Sequence, residues 1–232
     1  MALVRLGAGI TDIRGSIGGT TFSKNRFGNY MRARTTPVNP RSQRQLTMRA
    51  IVASVSAAWS GVLTVFQRAA WEVYADSIVV SNKLGEQVKL TGFNQYIRTN
   101  SFNLQNGGAR IDDGPIILTL PGADTLFDVV VDEASQELEV TFDESLNWVD
   151  QSAGLMGVYM SKPQSAGTTF IQGPWRLAGT INGDDTTAPT SPETMSAPFS
   201  VGVGQVIAVR ARLMEEDGRL SNHFLSESIV AA

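Results

Sequence analysis

The 232-residue sequence predicts an α+β protein of two domains, in which an N-terminal arm, a β-hairpin and a small helical domain precede an antiparallel β-sandwich. Three observations predict this. Between residues 39 and 108, apolar residues recur at helical spacing behind good capping residues. From Pro115 onward, apolar and polar residues alternate in short runs separated by turn residues. Charge also changes sign between the regions: residues 1–110 hold 14 Lys/Arg against 4 Asp/Glu, and residues 111–232 hold 5 against 18. A net charge of −3 therefore conceals halves of +10 and −13, which can attract within one copy or head to tail between copies.

Composition narrows the class further. Hydrophobic residues reach 42%, enough for a core, and there is no cysteine, which excludes disulfides and thiolate chemistry. Stability must then come from packing or from partner subunits. No apolar run approaches the ~20 residues that cross a bilayer. Met1-Ala-Leu-Val-Arg-Leu-Gly has no signal-peptide core, so the expectation is synthesis in the cytoplasm and no membrane partner.

Residues 1–38 form the first region, an extended basic arm and hairpin. Gly7, Gly9, Gly15, Gly18 and Gly19 break any helix in residues 1–18, which read as an arm ordered only against a partner. Thr20, Thr21 and Phe22 favour a strand, and Asn25-Arg26-Phe27-Gly28 supplies a turn. The chain returns through Asn29–Arg34, with Arg32 and Arg34 on one face and Met31 and Ala33 on the other. Between Asp12 and Glu72 there is no acidic residue, while nine Lys/Arg fall in the interval.

Residues 39–108 form the helical region. Asn39-Pro40 should start a helix over Arg41–Ser60, with Met48, Ile51/Val52, Val55, Trp59 and Val62 as its apolar stripe and Gly61 as its end. Thr64 and Gln67 have capping-box spacing and open a second helix that should bury Phe66, Ala69/Ala70 and Val73/Tyr74, with Trp71 nearby. So short a link predicts an antiparallel helical hairpin, with Trp59 and Trp71 in its core. Ile78–Leu90 reads as a loop or short β-pair turning at Lys83-Leu84-Gly85. Thr91 caps a third helix, Gly92 to about Leu104, with Phe93, Tyr96/Ile97 and Leu104 apolar, and Asn106-Gly107-Gly108 stops it.

Residues 109–115 read as the domain boundary, and 115–232 as the second domain. Candidate strands are Ile116–Leu120, Leu126–Val131, Glu137–Phe142, Leu155–Ser161, Trp175–Ile181, Val206–Met214 and Ser221–Ile229. Seven short strands at this spacing fit a sandwich of the immunoglobulin or fibronectin type III kind, with Trp148 and Trp175 as core aromatics. Asn182–Ala197 reads as a long polar loop.

Catalytic material is scarce. His223 is the only histidine, in a terminal strand where a surface or packed role is expected. No phosphate-binding G-x-x-x-x-G-K-[ST] and no G-x-S-x-G elbow is present. Carboxylates cluster at Asp112/Asp113, Asp184/Asp185 and Glu215/Glu216/Asp217, without the dense oxygen spacing of a calcium loop, and read as solvated turns. The expectation is no enzyme, no cofactor and no metal. Basic residues interleaved with Phe22, Phe27 and Tyr30 are compatible with phosphate contact and stacking, but no helix-turn-helix, RNA-recognition or zinc module accompanies them. Protein–protein contact is the preferred use, through Phe22, Arg26, Phe27, Tyr30, Arg32 and Arg34.

One wider pattern joins these pieces. Gly15–Phe22, Asn25-Arg26-Phe27-Gly28, Arg32-Ala33-Arg34, Pro37–Pro40, Gln43–Arg49, Trp59 through Gln67–Trp71, and Leu90-Thr91-Gly92-Phe93-Asn94 together resemble proteins encoded among the virion genes of tailed bacteriophages and prophages. The resemblance covers roughly the first 105 residues, and the second half looks like the immunoglobulin-like modules displayed on phage particles. It implies a virion structural protein, made in the bacterial cytoplasm and carried on the particle. A head decoration or cement protein is expected, homo-oligomeric and bound to the major capsid protein or other virion subunits. The alternatives are a tail, connector or fibre-base component, or a nucleic-acid-binding protein.

Overall fold

The structure is a computed structural model that describes residues 2–3, 7–10, 12–25, 28–35, 38–81, 87–171, 173–226 and 229–230. It is a mixed α+β chain in two compact units, Met1–Gln43 and Arg44–Ala232.

The first unit is one antiparallel sheet of β1 (Ala2–Leu3), β2 (Gly15–Ile17), β3 (Thr20–Asn25) and β4 (Gly28–Ala33), in the order β1-β4-β3-β2. Gly18 and Gly19 both take positive φ, +54° and +81°, which a two-residue turn of matching twist needs between Ile17 and Thr20. The pairing of Asn25 with Gly28 closes the expected β3–β4 hairpin, while Arg26 and Phe27 lie outside the described residues. The expected arm thus contributes two strands of its own: β1 pairs with β4 and β2 with β3.

In the second unit the first helix, α1, spans Gln43–Gly61. It starts two residues later than expected because Arg41 takes a left-handed φ of +48°, with its N–H on Asn39 Oδ1 at 3.3 Å. α2 (Val65–Ser77) carries the full capping box: Thr64 Oγ1 accepts from Gln67 N, and Gln67 Oε1 accepts from Thr64 N. Its axis turns by 117° from that of α1, short of the expected antiparallel hairpin. After β5 (Val80–Ser81) and β6 (Gln87–Val88), a short pair whose turn lies outside the described residues, comes α3 (Gly92–Gln105), capped by Thr91. The close helix pair is α2 with α3. A Cβ on Gly92 would stand 2.6 Å from Glu72 N, and the Glu72 carboxylate accepts the Gly92 N–H at 2.8 Å. Trp71, Tyr74 and Tyr96 are fully buried between them, and Trp59 is half-buried with its ring 5.4 Å from Tyr96. Among the described residues no single helix is long and apolar enough to cross a membrane.

The remaining strands are β7 (Asp128–Asp132), β8 (Glu137–Thr141), β9 (Leu155–Ser161), β10 (Trp175–Asn182), β11 (Glu193–Ser196), β12 (Val206–Ile207), β13 (Val209–Met214), β14 (Phe224–Leu225) and β15 (Ile229–Val230). Two antiparallel sheets, β10-β9-β13-β14 and β11-β8-β7, enclose one core; β12 pairs with β15. Alternation supplies that core: Val129, Val131, Leu138, Val140, Met156, Val158, Met160, Val209, Ala211 and Leu213 point inward around Trp148.

Three expectations need correction here. Ile116–Leu120 forms no strand, and Ile116 is 92% exposed. The supposed polar loop contributes β11, whose Met195 packs on Gly179. Trp175 sits half-buried at the start of β10 under Arg210 instead of in the core.

Residues 109–114 are not slack. Asn100, fully buried, accepts from Ile111 N at 2.7 Å and donates to Ile111 O at 3.0 Å, as a neighbouring strand would. Asn103 Nδ2 holds Ala109 O at 2.6 Å, Trp71 Nε1 holds Asp112 O at 3.0 Å, and Tyr96 Oη donates to Asp112 Oδ1. Gly114 lies so close to Ala70 and Trp71 that a Cβ would stand 2.8 Å from their backbone. Phe102 of α3 reaches Leu155, Met214 and Leu220 of the sheet region, so helices and sheets belong to one unit.

Candidate interface

The two-faced sheet of the first unit decides how the expected contact residues group. Phe22 lies opposite Met31, and Ser23 opposite Tyr30, so Phe22 shares a face with Met31 while Tyr30 and Arg32 occupy the other. Arg34 follows directly, its N–H on Gly19 O at 2.6 Å, and is exposed. Tyr30, Arg32 and Arg34 can therefore serve one surface and Phe22 the opposite one; Arg26 and Phe27 lie outside the described residues.

No side chain described in this unit is buried. Phe22 and Tyr30 are half-buried, and Ile10, Ile17, Met31 and Val38 are exposed. Short strands without a core are marginal in water. Among the described residues of this unit the one ion pair is Arg14 with Asp12 at 3.2 Å, leaving a strongly cationic surface.

The second unit exposes a different surface. Phe66 is 87% exposed, with Val65 and Val73 also open, although sequence periodicity placed Phe66 and Val73 inside. Their face of α2 is apolar, but Trp71, Tyr74 and Ala75 form the face that meets the core. Val62, expected in the α1 stripe, is exposed as well. Beside Gly114, a recess of about 550 Å³ is lined by Ile111, Pro115, Ile116, Ile117 and the acidic Asp113, Glu216 and Asp217.

The acidic half has a defined front. The outer face of β7, β8 and β11 carries Asp128, Asp132, Glu137 and Glu139, with no Lys or Arg in these strands. Asp132 stands directly opposite Glu137, a like-charge cross-strand pair that weakens the sheet by itself.

The three carboxylate clusters singled out from sequence are each engaged within the fold. Arg110 grips Asp112 through two bonds, 2.6 and 2.8 Å, and together with the Tyr96 hydroxyl holds its carboxyl below the usual range. The backbone amides of Thr186 and Thr187 do the same for Asp184. Arg219 bridges Glu215 and Asp217 in the turn that follows β13, where Gly218 takes a φ of +87°. Among the described residues no three His, Asp or Glu side chains gather as a metal set. His223 is exposed, edge-on to the Tyr159 ring at 6.0 Å. Set against known proteins, the chain matches no family model and no curated sequence.

Proposed function

We propose that this chain is a structural protein of a tailed-phage virion, a head decoration or cement protein that docks through its basic N-terminal unit. The observation that carries the reading is a cationic four-stranded sheet in which no described side chain is buried. Such a sheet needs a partner surface to become stable, and Tyr30, Arg32 and Arg34 supply one edge of the contact. The two sheets of Arg44–Ala232 are read as an immunoglobulin-like sandwich, projecting outward or packing between capsomers. The partner is the major capsid protein or a sister copy, whose acidic β7-β8-β11 face complements the basic unit. No catalytic role is assigned.

The test is co-sedimentation with purified particles. Full-length chain binds, and a chain lacking residues 1–38 loses particle binding while residues 39–232 still fold. Retained binding by the truncated chain would sink the docking role. Counting copies per capsid protein on separated heads and tails then divides the two virion readings: near-stoichiometric amounts on heads mean decoration, and a dozen or fewer on tails mean a tail or connector part. A steep loss of DNA affinity with salt, about one log unit per phosphate contact, would instead favour nucleic-acid binding. Phe22 lies on the sheet face opposite Tyr30 and Arg32, which disfavours a single stacking platform.

A further inference from the structure

The outer face of the β10-β9-β13-β14 sheet carries a group of guanidiniums that no ion pair among the described residues engages. Val209, Ala211 and Leu213 point into the core, so Arg210 and Arg212 of β13 point out. Register sets Arg210 opposite Tyr159 and Arg212 opposite Gly157 on β9. Gly157 makes room for α3: a Cβ there would stand 2.8 Å from the Phe102 ring. Arg98 lies one helical turn before Phe102 on the same side of α3, which brings a third guanidinium to this face.

Aromatic rings fix two of these cations in place. Arg210 Cζ lies 4.5 Å from the centre of the Trp175 ring and 5.4 Å from that of Tyr159, and Arg212 Cζ lies 6.0 Å from that of Phe102. Arg212 Nε donates to Ser221 O at 3.0 Å. Arg98 Nη1 and Arg210 Nε, however, are buried donors without a partner. The ion pairs among the described residues engage Arg14, Arg110 and Arg219, and none engages these three. Burial lowers the pKa of each; Arg212, with Arg98 and Arg210 also beside it, is pushed down to about 9. Arg44 adds to the same positive field around Tyr159. Half-buried like charges with open donors destabilise a fold unless a counterion completes them.

We infer that Arg98, Arg210 and Arg212, beside the Tyr159 and Trp175 rings, form a binding site for an oxyanion, a carboxylate or a phosphate group. The planar fork of a guanidinium suits either group, and one partnerless N–H donor comes from the helix and one from the strand. All three arginines belong to the second unit, Arg44–Ala232.

The experiment uses the full chain in chloride buffer of fixed ionic strength, titrated with inorganic phosphate or with a hexaglutamate peptide. Either probe should raise the melting temperature in a saturable way, and calorimetric affinity should fall about tenfold or more in Arg98→Gln and in Arg210→Gln. Arg176→Gln, whose guanidinium stacks on Phe199 outside this group, should bind as the parent does. Tighter phosphate binding would identify a phosphate source, and tighter peptide binding an acidic protein segment. Without either probe, Arg212→Gln should melt above the parent, because two cations repel less than three. No saturable response to either probe, or equal losses in Arg176→Gln, would overturn the site. So would melting temperatures that fall in all three group variants with no phosphate response.

Discussion

Replacing Asn100 by Leu should be among the most damaging conservative-volume changes in this chain. Asn100 is fully buried, and its amide makes two bonds to the Ile111 backbone, 2.7 Å to the N–H and 3.0 Å to the carbonyl. Leucine fills the space but leaves both Ile111 groups without partners. Each stranded backbone group costs about 1–3 kcal/mol, so the pair should cost about 4 kcal/mol. That is a large part of a typical domain's stability of ~5–15 kcal/mol. Urea unfolding followed by tryptophan fluorescence reads the change, because Trp71 Nε1 bonds Asp112 O, one residue along the same strap. Asn106 is the control: its Nδ2 donates to Phe102 O at 2.8 Å and its Oδ1 accepts only a long bond from Thr180 Oγ1 at 3.4 Å, so Asn106→Ala should cost about 1 kcal/mol. A loss below about 1 kcal/mol for Asn100→Leu would show that the strap does not hold the helices to the sheets, and would refute the reasoning.

Further outcomes follow from the same packing. Gly157→Ala places a methyl 2.8 Å from the Phe102 ring and should cost about 1–3 kcal/mol, recovered in part by Phe102→Leu in a double-mutant cycle. Phe66→Ser should change unfolding free energy by no more than about 0.5 kcal/mol, since the ring is 87% exposed, whereas Trp71→Ala at a fully buried ring should cost about 3–5 kcal/mol. Acid should weaken the strap through Asp112. Its carboxyl is depressed in the fold by Arg110 and Tyr96, so its contribution is complete above the ordinary carboxylate range near pH 4 and is lost as pH falls through the lower folded value. Urea midpoints between pH 2 and 6 should therefore fall less steeply in Asp112→Asn than in the parent.

Local chemistry made much of this fold legible in the sequence. Thr64 with Gln67, Thr91, and Asn106-Gly107 mark helix ends because capping is decided within a few residues. Leu138 and Val140 alternate with glutamates because one face of β8 is buried. What stayed hidden depends on distant approach. α2 has apolar residues on two faces, and Gly92 and Gly114, which let α3 and the strap come close, choose the Trp71 face and leave Phe66 outside. The strap itself was invisible because buried asparagines look like solvent residues until their partners are known.

The candidate interface divides along the same line. That Tyr30 and Arg32 share a face follows from period-two alternation alone, but setting Phe22 against Met31 on the other face needs the register of the hairpin. The arginines of β13 are the sharper case. Val-Arg-Ala-Arg-Leu reads as an inward apolar row and an outward solvated one, and the inward half is correct. The outward half is not simply solvated, because Gly157 admits Phe102 and α3 descends onto the sheet, covering donors that alternation would leave in water. A strand pattern records which way a side chain points. It does not record what a distant helix later lays over it, and it is there that a surface arginine becomes a half-buried one in search of an anion.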